Sequence, residues 1–366
     1  MSSLTLWDFA QKKYKQELLD AGEENSNILS ESHIIVCGAK DSGKTTLINK
    51  FLEKDDPAKP TIALDFCYGR RSKPNNMSGV KDVTNVSEIG GGKSTVKLFN
   101  AVISKQNLSG LVIVLVLDLS KPSEIWEVQH AILTQIKQRI TAVLNEQKKT
   151  NPELEKELMK KAWQRVGAVH TDKNMISPLM VPLVIIGTKY DLFQELSTSK
   201  KEMVSKALRF VNHYHGGMIQ YFSTKAEGLS SRTKSVFSHV AFKTSLSKTT
   251  SIDPGKPLIV PFGADSLEQV GAPPVSSDRM MKNRGNSPYE LWQNAYESVF
   301  PSQNSEDNEI QTNPTLDKNF ADETIDNARK QKDQELERYR KLSERKSKEN
   351  KLNASAGVSS SKKKQK

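Results

Sequence analysis

A loop with the sequence GAKDSGKTT, Gly38–Thr46, constrains this chain more than any other feature. It matches the phosphate-loop pattern G-x-x-x-x-G-K-[ST] at every fixed position. The apolar run His33–Cys37 before it predicts a buried strand, and residues 46–52 after it predict a helix. A strand, a glycine-containing turn and a helix in this order direct backbone N–H groups and a helix N-terminus at one point, which suits a polyphosphate.

The residue types of the loop predict individual roles. Gly38 and Gly43 allow a tight turn, Lys44 reaches the β- and γ-phosphates, and the Thr45 hydroxyl helps to hold Mg²⁺. The alternative, a loop that keeps its shape but no longer binds nucleotide, stays open. The predicted nucleotide-binding residues of the loop are Gly38, Asp41, Ser42, Gly43, Lys44, Thr45 and Thr46.

Strand-like and helix-like patterns alternate over residues 30–250. Leu111–Asp118 and residues 181–187 are continuous apolar runs, typical of strands buried on both faces of a parallel sheet. Residues 124–144 carry Ile, Val and Leu at helical spacing. The alternation predicts an α/β fold with a doubly wound, mostly parallel sheet. A charged helix at Glu153–Arg165 falls in a predicted insertion at about 145–180.

Two further predictions concern the borders of this sheet. Residues 70–82 are polar and rich in turn-forming residues, so they predict a loop between strands. Met218–Phe222 is predicted as the last strand.

Three segments flank the α/β domain. Trp7, Ala10, Tyr14 and Leu18 at helical spacing predict an amphipathic N-terminal helix over residues 1–29. Residues 251–301 predict an irregular, Pro-rich, extended arm that ends in a short helix. Residues 302–366 predict a charged helix, at 320–350, followed by a disordered, basic tail at 353–366.

The short helix of the arm has one apolar face. Packing against the chain's own domain and docking on another protein explain this face equally well. The residues assigned to partner binding are Leu291, Trp292, Tyr296 and Phe300.

The composition excludes several classes of protein. The net charge of +11 comes mostly from residues 328–366, which hold fourteen Lys/Arg and five Asp/Glu, so the folded part is close to neutral. A nucleic-acid-binding domain needs basic residues clustered on folded structure, so no nucleic-acid partner is expected. Cys37 and Cys67, the two cysteines, predict a reducing compartment without disulfides. No apolar run is long enough to predict membrane insertion.

A second motif predicts which base is bound. Thr188, Lys189 and Asp191 follow a predicted strand and match the guanine-reading pattern [NT]-K-x-D. A carboxylate at the position of Asp191 can accept hydrogen bonds from two N–H groups that guanine has and adenine lacks. Ser223 and Lys225, after the last predicted strand, belong to a small loop that would back the guanine.

The Mg²⁺-associated residues predicted are Thr45, Thr61 and Glu88. Thr61 stands where a switch threonine would cap the ion, although a surface threonine before a strand is an equal alternative. The second switch departs from the D-x-x-G pattern, because Glu88 replaces the aspartate and Gly92 stands where a water-orienting Gln is expected. Hydrolysis needs a positioned water and stabilised transition-state charge, so we expect binding without efficient turnover. The glycine run would be floppy unless a neighbour holds it.

The six histidines show no metal-ligand spacing in the sequence, so no further metal site is predicted.

These motifs, with others along most of the chain, resemble the light intermediate chains of cytoplasmic dynein, most closely the ciliary dynein-2 branch. The resembling stretches are TLW (5–7), GAKDSGKTT, PTIALDFCYGRR (60–71), EIGGG (88–92), LVLDLSKP (115–122), VPLVIIGTKYDLFQ (181–194), LRFVNHYHG (208–216), SPYELWQNAYESVFP (287–301) and QKDQELERYRK (331–341).

The resemblance implies a Ras-like P-loop domain that acts as a non-catalytic adaptor on the tail of the motor heavy chain. The implied partners are the dynein-2 heavy chain, the other dynein-2 subunits and intraflagellar transport particles, with microtubules reached only indirectly. The implied role is retrograde intraflagellar transport and cilium assembly, in the cytoplasm, the cytoskeleton, the ciliary axoneme and the basal body. GTP or GDP with Mg²⁺ is expected as a structural cofactor. The alternative is an active guanine-nucleotide switch.

Overall fold

The computed structural model describes residues 32–72, 81–91, 93–274, 287–301 and 322–361. The predicted N-terminal helix over residues 1–29 lies outside these ranges, as do Gly92 and the last five residues of the tail.

One sheet organises the described part of the domain. Its strands are β1 (Ser32–Gly38), β2 (Leu64–Ser72), β3 (Lys81–Ile89), β4 (Leu111–Asp118), β5 (Leu183–Thr188), β6 (Met218–Tyr221) and β7 (Ile259–Val260). Their spatial order is β2-β3-β1-β4-β5-β6-β7. The inner strands from β3 to β6 are parallel, and β2 and β7 pair antiparallel at the two edges. The predicted doubly wound, mostly parallel α/β fold is confirmed.

Helices cover both faces of this sheet because its central strands are apolar on both faces. Every residue of β4 and of β5 is buried. The helices are α1 (Lys44–Leu52), α2 (Phe99–Val102), α3 (Pro122–Gln147), α4 (Leu154–Val166), α5 (Tyr190–Phe193), α6 (Thr198–Tyr214), α7 (Glu227–Phe242), α8 (Leu267–Val270), α9 (Pro288–Val299) and α10 (Glu323–Ser361). One hydrophobic core lies between the sheet and helices α1 and α7, and the other lies on the opposite face under α3 and α6.

Both predictions about the borders of the sheet need correction. Strand β2 runs to Ser72 and β3 begins at Lys81, so both strands extend into the polar segment predicted as a loop. Their antiparallel register continues to the pair Ser72↔Lys81, and a solvated ribbon of this kind tolerates polar residues.

Strand β6 is not the last strand. The Pro-rich arm returns to the sheet as β7, whose residues Ile259 and Val260 pair with Gln220 and Ile219. A two-residue strand is too short to produce a periodic pattern, which is why the sequence did not reveal it.

Helix α9 packs against the chain's own domain. Its start is fixed by a capping box, in which the Ser287 side chain accepts from the Glu290 N–H and the Glu290 carboxylate accepts from the Ser287 N–H. Trp292 stacks on Phe210 of α6 with ring centroids 5.2 Å apart. The Tyr296 hydroxyl donates to the Pro122 carbonyl at 2.7 Å.

The assignment of this face to a partner is therefore wrong for three of its four residues. Trp292, Tyr296 and Phe300 are buried in the core, with exposed fractions of 3%, 1% and 8%. The aromatic side chains that looked like docking residues fill a gap between α3 and α6. Leu291, the fourth residue, is half-buried.

The charged helix predicted in the insertion is present as α4. Leu158, Ala162 and Val166 form its buried face, and the charged residues lie mostly on the other. Arg165 fixes its end, because the guanidinium donates to the carbonyls of Leu179 at 2.8 Å and Met180 at 3.3 Å.

The described residues 322–361 belong to a separate C-terminal unit of the chain. Its helix α10 runs from Glu323 to Ser361, longer than the predicted 320–350 and into the segment 353–361 that was predicted to be disordered. No proline interrupts this segment, so a helix once nucleated can propagate through it. None of the helices in the described ranges is long and apolar enough to cross a lipid bilayer.

We predict that Trp292→Ala lowers the free energy of unfolding by about 3–5 kcal/mol, because it removes a buried aromatic ring and leaves a cavity. Urea denaturation followed by circular dichroism measures this loss. Leu291→Ala on the same helix is the matched control and should change the urea midpoint little. A Trp292→Ala protein as stable as the wild type would show that α9 does not contribute to the core.

Candidate nucleotide site

The predicted motifs meet at the edge of the sheet where β1, β4 and β5 end. The register places Gly38 beside Val116, and Asp118 beside Thr188. The carboxyl ends of parallel strands are where open α/β sheets bind ligands. The phosphate loop and the guanine-reading motif, far apart in the sequence, therefore lie at one place.

The phosphate loop has the backbone that its glycines predict. Gly43 has a φ of 88°, in the left-handed region, and Asp41 also has a positive φ of 56°. At Gly38 a Cβ atom would lie 2.1 Å from the Val116 carbonyl oxygen, so no other residue fits there. The loop turns this tightly because two of its positions carry no side chain.

Helix α1 begins directly after the loop without a side-chain cap. Gly43 is its N-cap residue and offers no side chain to the first N–H groups of the helix. These groups and the positive end of the helix dipole remain for an anion. Thr46, half-buried in the first turn, lies beside them.

Lys44 lies folded into the loop. It is 5% exposed, and its ammonium donates to the Ala39 carbonyl at 2.7 Å. Burial lowers the pKa of Lys44, an effect that the nearby Glu88 carboxylate opposes. A phosphate would give this buried cation a stronger acceptor than a carbonyl.

Glu88 reaches the start of the same helix from β3. It lies opposite Val36 in the sheet register, and its Oε1 accepts the Thr45 hydroxyl at 2.8 Å. Burial raises the pKa of Glu88, and hydrogen bonds from Thr45 and Thr61 oppose that rise. The predicted Mg²⁺-associated residues, Thr45, Thr61 and Glu88, are thus brought together.

One carboxylate oxygen of Glu88 indicates that Thr45, Thr61 and Glu88 fit a cation. Glu88 is 3% exposed, yet its Oε2 has no hydrogen-bond partner among the described residues. A buried carboxylate oxygen without a partner is costly, and a hydrated Mg²⁺ would satisfy it.

Neighbouring backbone holds the glycines after Glu88 in place. The Gly90 N–H donates to the Ala63 carbonyl at 2.7 Å. A Cβ atom on Gly91 would lie 2.0 Å from the Lys40 backbone nitrogen, so the backbone of Gly91 packs closely against the phosphate loop. The first two glycines of the run are therefore fixed by the two loops that they touch.

The guanine-reading motif is tied to the phosphate loop. The Thr188 hydroxyl donates to the Ser42 carbonyl at 2.7 Å and lies 3.1 Å from the Leu117 carbonyl. Lys189 donates to Asp118 at 2.5 Å, from a left-handed backbone conformation with φ 57°. Asp118 is a site residue that the sequence analysis did not assign, and its position at the end of the apolar run Leu111–Asp118 was the available signal.

Asp191 is oriented by the loop after β6. Its Oδ1 accepts the Ser223 hydroxyl at 2.8 Å, and its Oδ2 pairs with the Lys225 ammonium at 2.7 Å. These two side chains, with Lys225 the larger influence, lower the pKa of Asp191, so the carboxylate is ionised as guanine recognition requires. Lys225 is 74% exposed and can swing away when a base enters.

The arrangement suits binding better than catalysis. It presents a phosphate cradle, a buried lysine and an ionised carboxylate for a base. Glu88 is engaged with Thr45, and a glycine, Gly92, stands where a water-orienting Gln is expected, so the sequence supplies no side chain there to position an attacking water.

We predict that Gly91→Ala destabilises the domain by about 1–3 kcal/mol, because the added methyl group overlaps the phosphate-loop backbone. The control is Gly228→Ala, where a Cβ would meet no atom within 4 Å. That helical substitution should stabilise by about 0.4–1 kcal/mol. Thermal unfolding of both variants measures the difference, and a Gly91→Ala protein as stable as Gly228→Ala would contradict the packing described above.

The chain is similar to known proteins over nearly its whole length. A family model described as Dynein light intermediate chain (DLIC) matches residues 20–182. Proteins named cytoplasmic dynein 2 light intermediate chain 1 from Rattus norvegicus and Homo sapiens are each 37% identical over 343 residues, which is 94% of this chain and 97% of each relative. The relative of that name from Danio rerio is 36% identical over 350 residues, covering 93% of this chain and 96% of the relative.

A solved structure supports the fold. The crystal structure of the dynein light intermediate chain's conserved domain matches with a TM-score of 0.50 at 17% identity, over 72% of this chain and 89% of the other. This likeness confirms the Ras-like P-loop fold. The identity to the three relatives, sustained over nine-tenths of the sequence, goes further: the chain belongs to the dynein light intermediate chain family.

Proposed function

We propose that this protein is a non-catalytic accessory subunit of the cytoplasmic dynein-2 motor complex, which binds the heavy-chain tail and supports retrograde intraflagellar transport and cilium assembly. The observation that carries the proposal is the 37% identity, over 94% of this chain, to proteins named cytoplasmic dynein 2 light intermediate chain 1. Its places of action are the cytoplasm, the cytoskeleton, the ciliary base and the axoneme. Intraflagellar transport particles and microtubules are reached through the motor.

The nucleotide site has a structural role in this proposal. GDP or GTP with Mg²⁺ would occupy the phosphate loop, with Thr45, Thr61 and Glu88 near the ion and Asp191 on the base. The bound nucleotide would join the loops that follow β1, β5 and β6, which are already linked by Thr188–Ser42 and Ser223–Asp191 hydrogen bonds. It would therefore stiffen the edge of the sheet.

An active guanine-nucleotide switch remains the second candidate. It would need the glycine segment after β3 to move when a γ-phosphate arrives or leaves. A Cβ atom on Gly91 would overlap the phosphate-loop backbone at Lys40, and the Gly90 N–H is bonded to the Ala63 carbonyl. These contacts favour a fixed segment over a moving one.

The heavy-chain contact needs a surface other than the face of α9, and β2 provides one. Ile62, Leu64, Phe66 and Tyr68 lie on or just before this edge strand and are 48%, 46%, 59% and 52% exposed. The three within β2 alternate, so they share one face. Arg70 lies over the ring of Tyr68, with its guanidinium carbon 4.8 Å from the ring centroid.

Such a surface is unusual on a protein that works alone. Aromatic side chains and arginine dominate the energy of protein interfaces, and contiguous exposed apolar patches mark binding sites. An edge strand also has unpaired backbone groups that a second chain can use. We propose that the dynein-2 heavy chain covers the face formed by Ile62, Leu64, Phe66 and Tyr68.

We predict that a Phe66→Ala, Tyr68→Ala double variant loses heavy-chain binding, since each truncated aromatic anchor costs about 2 kcal/mol or more. The test expresses tagged variants in cells that lack this protein and measures heavy-chain recovery and the velocity of retrograde transport particles. Both should fall, and particles should accumulate at ciliary tips.

The matched control is Val169→Ala, Met175→Ala, which truncates two side chains that are 99% and 52% exposed elsewhere on the domain. Its heavy-chain recovery should equal that of the wild type. Full recovery by the Phe66→Ala, Tyr68→Ala variant, with an unchanged melting temperature, would place the interface on another surface. Normal retrograde transport in cells without the protein would contradict the dynein-2 role itself.

A further inference from the structure

Two histidines and an aspartate lie close together near the amino end of β6, whereas the phosphate loop lies at the carboxyl ends of the strands. His213 lies in the last turn of α6, just before β6 begins. His170 and Asp172 come from the turn after α4. His170 and Asp172 are two residues apart, but His213 lies 41 residues further along the chain, which is why no ligand spacing was visible in the sequence.

The donor atoms of this His170/Asp172/His213 cluster converge on one point. His213 Nε2 lies 2.8 Å from Asp172 Oδ2, and His170 Nδ1 lies 3.7 Å from the same oxygen. One nitrogen from each histidine and one carboxylate oxygen all lie within 4.8 Å of one another. Asp172 and His213 are buried, and His170 is partly exposed, so one side of the cluster remains open to water.

The residues around the cluster hold these donors in orientation. The other ring nitrogen of His170, Nε2, donates to the Asp265 carbonyl at 3.1 Å. Asp265 is in turn held by a two-point pair with Arg209, at 2.8 and 2.6 Å. A neutral histidine whose N–H donates to a carbonyl presents the lone pair of its other nitrogen, and this is the usual arrangement around metal-binding histidines. In His170 that nitrogen, Nδ1, accepts the Asp172 backbone N–H.

We propose that His170 Nδ1, Asp172 and His213 Nε2 bind one Zn²⁺ ion, with water as the fourth ligand. Two imidazoles and a carboxylate are donors that Zn²⁺ accepts at about 2.0–2.2 Å in tetrahedral geometry. Such bond lengths require donor–donor separations of about 3.3 Å, so each pair in the cluster adjusts by roughly 1.5 Å or less. Hard cations such as Mg²⁺ and Ca²⁺ prefer sites made of oxygen alone.

Binding changes hydrogen bonds but requires no covalent step. The proton on His213 Nε2 moves to Nδ1, so that Nε2 offers its lone pair. The Asp172 backbone N–H, which donates to His170 Nδ1 at 3.1 Å, gives up that acceptor. The Leu267 N–H keeps its bond to the Asp172 carboxylate, which it makes at 2.8 Å.

The ion would link the insertion and the Pro-rich arm to the α/β domain. His170 and Asp172 belong to the insertion, and Asp265 and Leu267 belong to the Pro-rich arm at the start of α8. His213 belongs to a helix of the α/β domain itself. A metal at this junction would hold the insertion and the arm against α6 and β6.

The test uses the full-length protein after treatment with a chelator. Isothermal titration with Zn²⁺ should show one saturable site, and Co²⁺ should give the visible absorption of a tetrahedral complex. His213→Gln and His170→Gln should each weaken Zn²⁺ binding at least tenfold. His130→Gln, a histidine near α9 that is outside the cluster, should bind like the wild type. Zn²⁺ should raise the melting temperature of the wild type and of His130→Gln by a few degrees, and leave the cluster variants unchanged.

Several results would overturn the proposal. Absence of saturable Zn²⁺ binding to the wild type would show that the cluster is a hydrogen-bond network only. Equal binding by the wild type and His170→Gln would place the ion elsewhere, and equal affinity for Mg²⁺ or Ca²⁺ would exclude a zinc site. His170→Gln keeps the test valid if His213→Gln fails to fold, because His170 is the less buried of the two.

Discussion

The parallel pairing of β1, β4 and β5 is the constraint on which the rest of the structure depends. Because these strands carry apolar side chains on both faces, helices must cover both sides of the sheet. Along β1 the side chains alternate, with Ile34 and Val36 in the core under α1 and α7, and Ile35 and Cys37 in the opposite core. Polar groups are left to the carboxyl edge, where the strands end in turns. The candidate nucleotide site is a consequence of this layering.

Two elements outside the βα units cover apolar surface of the described α/β domain. Helix α9 fills the space beside α3 and α6 through Trp292 and Tyr296, and β7 covers the free edge of β6. The other edge, β2, keeps an exposed apolar face that includes Phe66 and Tyr68. The aromatic residues of α9 are buried in the core, whereas Phe66 and Tyr68 are exposed, so this face is the surface that we propose a partner covers. The packed core and the exposed apolar face of β2 are consistent with the adaptor role that we propose.

The sequence predicts local chemistry well and long-range contacts poorly. The phosphate loop and the Thr188–Asp191 motif were predictable, because each fits a short pattern beside a strand with a strong apolar signal. The face of α9 was ambiguous, since helical periodicity identifies an apolar face but not what covers it. The position of Asp118 at the end of an apolar run was a signal in the sequence, but its pairing with Lys189 was not predictable. The approach of His213 to His170 and Asp172 was not predictable either, because tertiary packing brings these parts of the chain together.

The central claim is that the domain keeps a nucleotide pocket as a structural element and does not turn nucleotide over. Its most direct test is the nucleotide content and the turnover rate of the purified protein, with Lys44→Ala and the matched surface variant Lys50→Ala of the same helix. Denatured wild-type and Lys50→Ala protein should release a guanine nucleotide. Lys44→Ala should release about tenfold less, because a charge-assisted bond to phosphate is lost. Phosphate release from added GTP should stay at the buffer rate. An empty wild-type pocket, or sustained turnover abolished by Lys44→Ala, would contradict the account.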